Sequence, residues 1–252
     1  MKIDNEIRQY GKDNKVPITL DDTLSFLLET IKENNSKQIL EIGTAIGFGC
    51  ITIAENTNCE HIDTLEIDEQ RFKIANENIK NKNLQDRIST HLIDAKEFLL
   101  NCNKKYDFIY LDGPKGQYIN YLPMLTKLLN PNGIIFADNL NFHGMVTGEI
   151  PITRGCRSMI KGLKNYIQEV TTNPIYETKL YKEIGDGIEL PFGAYEIKVT
   201  SIDGQTKTRV VGFEPKVEHS ILPMIALFTS VTTFAVLMVL VIRKYKKEFV
   251  EA

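Results

Sequence analysis

The sequence predicts an α/β fold: a doubly wound, mainly parallel sheet of seven strands that ends in an antiparallel hairpin. Five short apolar segments alternate with segments of helical periodicity, which is the pattern of a parallel sheet covered by helices. Residues 106–111 are nearly all apolar, as a strand covered on both faces should be. Two further strand-like segments, 176–184 and 187–190, are joined through Gly185-Asp186, which is a hairpin turn signal.

The elements are predicted in chain order from their periodicity. A helix is predicted over residues 22–34 because Leu24, Leu27, Leu28 and Ile31 recur at helical spacing. The five parallel strands are predicted at residues 37–42, 62–67, 88–93, 106–111 and 134–137. The helices between and after them are predicted at residues 48–55, 69–81, 95–100, 118–129 and 157–170.

A proline and a turn signal affect the helix predicted at residues 118–129. Pro123 should kink this helix or mark its true start, because proline lacks the N–H that a helix interior uses. The sequence Asn130-Pro131-Asn132-Gly133 is a strong turn signal. We therefore expect the helix to end before this turn and the fifth strand to begin after it.

The chain changes character after the predicted domain at residues 1–189. Residues 190–220 are predicted to form a separate β-hairpin and a short polar linker. The hairpin prediction depends on Tyr195, Ile197 and Val199, which alternate with polar residues.

A transmembrane helix is predicted at residues 221–242, because this run of 22 residues carries no charge and is long enough to span a bilayer. A basic tail follows at residues 243–252. The N-terminus has no signal peptide, so we expect a single-pass C-terminal anchor with residues 1–189 in the cytoplasm. The basic residues closest to the run favour the opposite orientation, and a fused or misjoined gene would give the same sequence.

Composition argues against two kinds of binding site. The net charge is -3, so the chain has no global basic field of the kind that attracts nucleic acid. Its cysteines, at positions 50, 59, 102 and 156, include no C-x-x-C pair, which makes a zinc site improbable. We expect them to be reduced thiols.

A glycine turn follows the first predicted strand, in the sequence Ile39-Leu-Glu-Ile-Gly-Thr-Ala-Ile-Gly47. Gly43 and Gly47 allow the backbone to turn tightly and to approach a ligand without a Cβ clash. The next helix offers free N–H groups to an anionic group. The spacing does not match the dinucleotide pattern G-x-G-x-x-G. The turn therefore predicts a site for a nucleotide-like cofactor other than a dinucleotide. The alternative is that the turn only connects the strand to the helix and binds no ligand.

Two acidic positions at strand ends fit the same kind of cofactor. Glu66 ends the second strand, where a carboxylate can accept hydrogen bonds from both ribose hydroxyls. Asp94-Ala95 follows the third strand, where an adenine edge would lie. Asp94 can also cap the next helix, and the two roles are compatible.

Asp112, Asp138 and Asn139 supply oxygen ligands from the ends of two adjacent strands. Ligation by oxygen alone suits Mg²⁺, Mn²⁺ or Ca²⁺. Lys115 stands in the turn after Asp112, and burial beside a metal would lower the pKa of its amine enough for it to act as a base. The alternatives are an ordinary turn at residues 138–139 and a solvated lysine.

Two other features are open to more than one interpretation. His143 lies on the next loop, where it could contact a substrate or be an ordinary surface residue. Four basic residues form a stripe that is either a solvated helix face or a site of phosphate contact with RNA. These four residues, called the basic stripe below, are Arg154, Arg157, Lys161 and Lys164.

The motifs together resemble the cation-dependent O-methyltransferases that use S-adenosylmethionine, the class that includes the catechol and caffeoyl-CoA enzymes. The bacterial tRNA 5-hydroxyuridine methyltransferase group is the most similar branch. The matching segments are Val16-Pro-Ile18, Ile39 to Gly47, Asp112-Gly-Pro-Lys-Gly-Gln-Tyr118, Asp138-Asn139 and Ile184-Gly-Asp-Gly-Ile188. The resemblance implies a Rossmann-like methyltransferase fold over residues 1–189.

The resemblance also implies roles for individual residues. Lys115 would be the catalytic base. The metal would be bound by Asp112, Asp138 and Asn139. The cofactor-binding residues would be Val16, Glu41, Gly43, Thr44, Gly47, Gly49, Glu66, Asp94, Ala95 and Asp112. Gly49 departs from the family, which commonly has a serine there that helps to hold the methionine carboxylate.

The resemblance implies methyl transfer from S-adenosylmethionine to a metal-bound hydroxyl, with Mg²⁺ or a similar cation as the second cofactor. The acceptor would be a small aromatic, catechol-like molecule. The alternatives are 5-hydroxyuridine in tRNA and, in another class, a membrane-tethered protein that binds the cofactor without catalysis. Family members form homodimers through their N-terminal part. That part looks short before Val16 here, so a homodimer is only one possibility.

Overall fold

The computed structural model describes residues 1–180 and 195–199. Its described strands form one seven-stranded sheet in the order β3-β2-β1-β4-β5-β7-β6. The strands are β1 (Gln38–Ile42), β2 (His61–Glu66), β3 (Ile88–Leu92), β4 (Tyr106–Leu111), β5 (Leu129–Ala137), β6 (Tyr176–Leu180) and β7 (Tyr195–Val199). β1 to β5 are parallel to one another, and β7 is antiparallel to both β5 and β6. The predicted α/β class and mainly parallel sheet are confirmed.

The described helices connect these strands. They are α1 (Asn5–Asp13), α2 (Asp21–Glu33), α3 (Phe48–Asn56), α4 (Glu69–Asn81), α5 (Ala95–Asn101), α6 (Tyr118–Leu128) and α7 (Arg157–Thr172). Short 3₁₀ turns at Lys115–Gln117 and Arg154–Cys156 precede α6 and α7. Helix α1 was not predicted, because only Ile7 and Gly11 of its nine residues are buried and its apolar signal is weak.

The sheet has a hydrophobic core on each face, as a doubly wound fold requires. Along β1, Ile39 packs into the core that includes residues of α2 and α3, whereas Leu40 packs into the core that includes residues of α6 and α7. Both side chains are fully buried. This alternation explains why the sequence of β1 is almost continuously apolar.

The turn signal before β5 proves to be a bulge within the strand. Tyr106 pairs with Leu129 and Phe108 pairs with Ile134, so four residues of β5 lie opposite one residue of β4. Asn132 adopts the left-handed conformation there, with φ 65°. Helix α6 begins at Tyr118, as predicted, and continues through Pro123, so the proline does not mark its start.

The antiparallel edge is built from a different strand than predicted. β7 (Tyr195–Val199) lies between β5 and β6 in the main sheet, so its prediction as part of a separate β-hairpin is wrong. Alternating polarity predicts that a segment is a strand but does not identify its partner. The turn at Gly185-Asp186, the strand predicted at residues 187–190 and the remainder of the 190–220 segment lie outside the described residues.

Within residues 1–180 and 195–199, no helix combines the length and apolar character needed to cross a bilayer. The run at residues 221–242 and the basic tail lie outside that part of the chain, so the anchor remains a prediction.

Candidate functional site

A cavity of about 1030 Å³ lies at the carboxyl ends of the parallel strands. It is lined by residues that follow β1, β2, β4 and β5, together with the segment that precedes α2 and the start of α5. The predicted site residues among its lining are Gly43, Glu66, Asp94, Ala95, Asp112, Lys115, Asp138, Asn139 and His143. The cavity therefore unites the predicted cofactor positions with the predicted metal and base positions.

Five other predicted cofactor residues do not line the cavity. Val16 packs against the hydrophobic core, and the remaining four belong to β1, the glycine turn and α3. These four are Glu41, Thr44, Gly47 and Gly49. In place of Val16, the adjoining residues 17–20 line the cavity. Pro17 and Ile18 belong to the matching segment Val16-Pro-Ile18, but only Val16 was assigned a cofactor role.

The two glycines of the turn serve different contacts. Gly43 has φ 109°, and a Cβ there would overlap the backbone oxygen of Asp112. Gly47 has φ 84°, and a Cβ there would lie 3.4 Å from the Cα of Ala75 in α4. Gly43 thus lets the turn approach the end of β4, and Gly47 lets α3 start close to α4.

The Glu66 carboxylate is held in place by backbone donors. Its Oε1 accepts hydrogen bonds from the N–H groups of Ile67 and Asp68, both at 2.9 Å, and its Oε2 accepts one from Ala45 at 2.8 Å. A carboxylate has about four acceptor positions, so it keeps capacity for a further hydroxyl donor. The side chain is 7% exposed and lines the cavity, as a ribose-binding residue would.

Asp94 caps helix α5, as predicted. Its Oδ1 accepts hydrogen bonds from the N–H groups of Lys96 at 2.8 Å and Glu97 at 3.4 Å. Asp94 and Ala95 also line the cavity, as do Glu66 and Ile67. The capping role therefore leaves Asp94 available to a ligand.

The two aspartates of the predicted metal site come from paired strands. Leu111 of β4 pairs with Ala137 of β5, so the residues that follow them, Asp112 and Asp138, stand side by side. Asn139 then adopts the left-handed conformation, with φ 55°, and donates its backbone N–H to Asp138 Oδ1 at 2.7 Å. Two carboxylates and an amide oxygen fit a hard divalent cation.

The described part of the chain holds no group of three or more histidine, cysteine, aspartate and glutamate side chains arranged to bind a metal. The candidate metal site therefore depends on Asn139 as its third protein ligand, and on water or a substrate for the remaining positions.

Lys115 lies within the cluster, where an ion pair shifts its pKa. Its Nζ is 2.5 Å from Asp112 Oδ1 and donates to Tyr118 Oη at 3.0 Å. Burial alone would lower the pKa of Lys115, but the negative charge of Asp112 outweighs burial and raises that pKa above its ordinary value. The predicted lowering assumed a metal cation next to the amine, so it stays a prediction for the metal-bound site, where the cation would offset the charge of Asp112.

Glu41 belongs to a buried network next to the site. Its Oε2 accepts a 2.5 Å hydrogen bond from Thr64 Oγ1, which is 2.6 Å from Thr44 Oγ1. A Cβ added at Gly49 would overlap Glu41 Oε1, so the absence of a side chain at Gly49 makes room for this carboxyl. A serine at position 49 would need Glu41 to move.

Glu41 should make stability depend on pH. Burial raises the pKa of its carboxyl to about 8, although the hydrogen bond from Thr64 opposes the shift. The folded state then binds a proton that the unfolded state releases near pH 4.5, so the free energy of unfolding should fall as pH rises from 4.5 to 8. In urea titrations across this range, Glu41→Gln should show a smaller decline than the wild type. Glu97→Gln changes an exposed carboxyl and is the control, so its free energy of unfolding should fall as much as that of the wild type. A fall in Glu41→Gln as large as in the wild type would show that Glu41 is not responsible.

The loop after β5 adds aromatic surface to the cavity. Phe142 and His143 both line it, both have positive φ, and their rings are 5.1 Å apart. The sequence indicated His143 but not Phe142, since a single aromatic in a loop carries no periodic signal. Non-glycine residues with positive φ concentrate at functional sites.

The basic stripe lies on the exposed side of α7 and the 3₁₀ turn before it. All four of its residues are exposed, and none forms an ion pair with another residue in the described part of the chain. The stripe is therefore an accessible cationic surface.

Comparison with known proteins finds similarity to methyltransferases in sequence and in structure. The profile of a family described as O-methyltransferase matches residues 5–192. Tapetum-specific methyltransferase 1 of Arabidopsis thaliana is 28% identical over 190 residues, which cover 73% of this chain and 81% of that protein. The caffeoyl-CoA O-methyltransferase of Citrus natsudaidai is 27% identical over 177 residues, covering 66% and 75%. The crystal structure of the O-methyltransferase from Bacillus cereus in complex with SAH superposes with a TM-score of 0.67 at 22% identity, covering 78% of this chain and 89% of that one.

Proposed function

Because the chain belongs to the O-methyltransferase family, we propose that it transfers the methyl group of S-adenosylmethionine to a hydroxyl of a small aromatic, catechol-like acceptor. The observation that carries this proposal is the meeting of Asp112, Lys115 and Asp138 at paired strand ends, in the same cavity as Glu66 and Asp94. The proposed cofactor site and the proposed reaction site would therefore share one cavity.

The adenosine side of the cofactor would lie against Glu66 and Asp94. Glu66 would accept hydrogen bonds from ribose hydroxyls, and its backbone hydrogen bonds fix it for that contact before binding. Asp94 and Ala95 would contact the adenine. The sulfonium end would then extend along Gly43 toward Asp112.

Asp112, Asp138 and Asn139 would hold a divalent cation such as Mg²⁺, which would lower the pKa of the acceptor hydroxyl and fix its orientation. Lys115 would act as the base in its neutral form. Its ammonium, paired with Asp112, would first release a proton to water, and the free Nζ would then take the proton of that hydroxyl. Phe142 and His143 would cover the acceptor ring on the side of the loop after β5. In-line positioning would supply much of the rate.

The acceptor class can be tested with the full chain and methyl-labelled S-adenosylmethionine. We expect label in a simple catechol when Mg²⁺ is present, and none when EDTA is added. Label that appears in tRNA carrying unmethylated 5-hydroxyuridine but not in the catechol would reject the small-molecule acceptor.

Methylation of 5-hydroxyuridine in tRNA is the second candidate, and the basic stripe favours it. Exposed cations that form no ion pair within residues 1–180 and 195–199 suit contact with a phosphate backbone. If tRNA is the acceptor, alanine at all four stripe positions should abolish labelling of tRNA while any labelling of catechol continues. Unchanged labelling of tRNA by that variant would count against this role.

The non-catalytic alternative gains no support, because family membership favours an enzyme. The chain also keeps every proposed metal ligand and the proposed base, which are Asp112, Asp138, Asn139 and Lys115. The C-terminal anchor remains a proposal supported by the uncharged run at residues 221–242. Recovery of the chain in the carbonate-washed membrane fraction would support the anchor, and its recovery in the soluble fraction would reject it. A homodimer likewise remains a possibility from the resemblance alone.

A further inference from the structure

We propose that Tyr118 is a positioning residue that fixes the Lys115 ammonium beside Asp112, and that helix α7 in turn holds Tyr118. This inference rests on the proposed function, in which Lys115 is the base. It concerns a residue that contacts Lys115 but, unlike Lys115 itself, does not line the cavity.

The hydroxyl of Tyr118 has a defined orientation. It donates to the backbone oxygen of Leu111 at 2.8 Å, which uses its single proton. Its oxygen must then accept from the Lys115 Nζ, at 3.0 Å. Leu111 is the last residue of β4, so the hydroxyl connects the base to the strand that carries Asp112.

The ring of Tyr118 is immobilised from the other side by α7. Tyr118 is fully buried, and its ring packs edge-on against the equally buried ring of Tyr166, with 5.6 Å between centroids. The Lys115 ammonium lies 5.5 Å from the centroid of the Tyr118 ring. The phenol therefore restrains the ammonium through both its oxygen and its ring face.

Two glycines bring the backbone of the Lys115 turn directly onto α7. A Cβ at Gly162 would lie 2.7 Å from the backbone oxygen of Gly116. A Cβ at Gly116 would lie 3.3 Å from the Cα of Met159. This contact leaves no room for the turn to shift toward α7, so the helix sets the position of both Lys115 and Tyr118.

Lysine is a long, flexible side chain, and a displacement of about 1 Å at a reacting group can lower the rate about a hundredfold. Tyr118→Phe should therefore lower kcat about tenfold to a hundredfold, while KM for the acceptor and for S-adenosylmethionine stays within about twofold. Tyr166→Phe is the matched control, because the Tyr166 hydroxyl has no hydrogen-bond partner among the described residues and the ring is kept. A kcat for Tyr118→Phe within about twofold of the wild type, or an equal fall in Tyr166→Phe, would overturn the proposal.

A second measurement does not need catalysis and separates this inference from the proposed function. Lysine acetylation by a limiting amount of an amine-reactive ester can be followed by mass spectrometry on the full chain, with exposed Lys127 as the internal reference. The Lys115 side chain is 12% exposed and ion-paired, so it should react slowly in the wild type. It should react several-fold faster in Tyr118→Phe and at the wild-type rate in Tyr166→Phe. Equal rates in all three proteins would overturn the positioning role even if methyl transfer is confirmed.

If Tyr118→Phe does not fold, Gly162→Ala tests the contact between α7 and the Lys115 turn without changing Lys115 or Tyr118. The added Cβ should push the turn away from α7 and lower kcat, and Gly155→Ala, where nothing lies within 4 Å of an added Cβ, should not. A folded Gly162→Ala enzyme with wild-type kcat would contradict the proposal.

Discussion

Replacement of Asp138 by alanine is expected to lower methyl transfer by about a thousandfold or more. Asp138 is 3% exposed. It stands beside Asp112 because the residues just before these two, Leu111 and Ala137, pair in the sheet. Its removal deletes one of only two carboxylates from the candidate metal site. Rates with labelled S-adenosylmethionine at saturating Mg²⁺ measure the effect.

The control for this variant is Asp86→Ala, which removes an exposed carboxylate from the loop before β3. Both variants should unfold at temperatures close to that of the wild type, and only Asp138→Ala should lose Mn²⁺ binding in a direct titration. More than a tenth of the wild-type rate in a folded Asp138→Ala protein would exclude the proposed metal role.

Replacement of Lys115 by methionine is expected to lower kcat by about a hundredfold to ten-thousandfold, the range typical of a general base. Methionine keeps much of the apolar volume of the lysine chain but cannot accept a proton. Since Lys115 also balances the charge of Asp112, metal affinity should stay the same or increase when it is removed. The measurement is kcat together with Mn²⁺ affinity.

Lys127→Met provides the comparison for Lys115→Met, because Lys127 is exposed on α6 and does not line the cavity. Its kcat should equal that of the wild type. A Lys115→Met enzyme with undiminished kcat would mean that another group, or water, removes the proton.

Most strands of the sheet could be predicted because each is marked by a local sequence pattern. The strands β1 to β4 are short apolar segments between turn signals, and their predicted bounds differ from those observed by at most one residue. The edge strand β7 could not be assigned, because its partners are remote in sequence and alternation alone does not select them. The bulge in β5 was mistaken for a turn because Asn132 and Gly133 favour both.

Site residues could be predicted where they lie at or just after the carboxyl end of a predicted strand. Glu66, Asp94, Asp112 and Asp138 all reach the cavity for that reason. What the sequence could not show were contacts across the fold, such as the space at Gly49 that Glu41 fills. The direction of the Lys115 pKa shift depends on a similar contact, the distance to Asp112, which only the folded structure provides.

A divalent metal at Asp112, Asp138 and Asn139 is the central requirement of the proposed methyl transfer. The most direct test is to titrate the metal-stripped full chain with Mn²⁺ and to follow bound Mn²⁺ by electron paramagnetic resonance and methyl transfer to a catechol in the same samples. We expect no transfer without Mn²⁺, a rate that rises in parallel with site occupancy, and neither signal in Asp138→Ala. A full rate before any Mn²⁺ is bound would contradict the account.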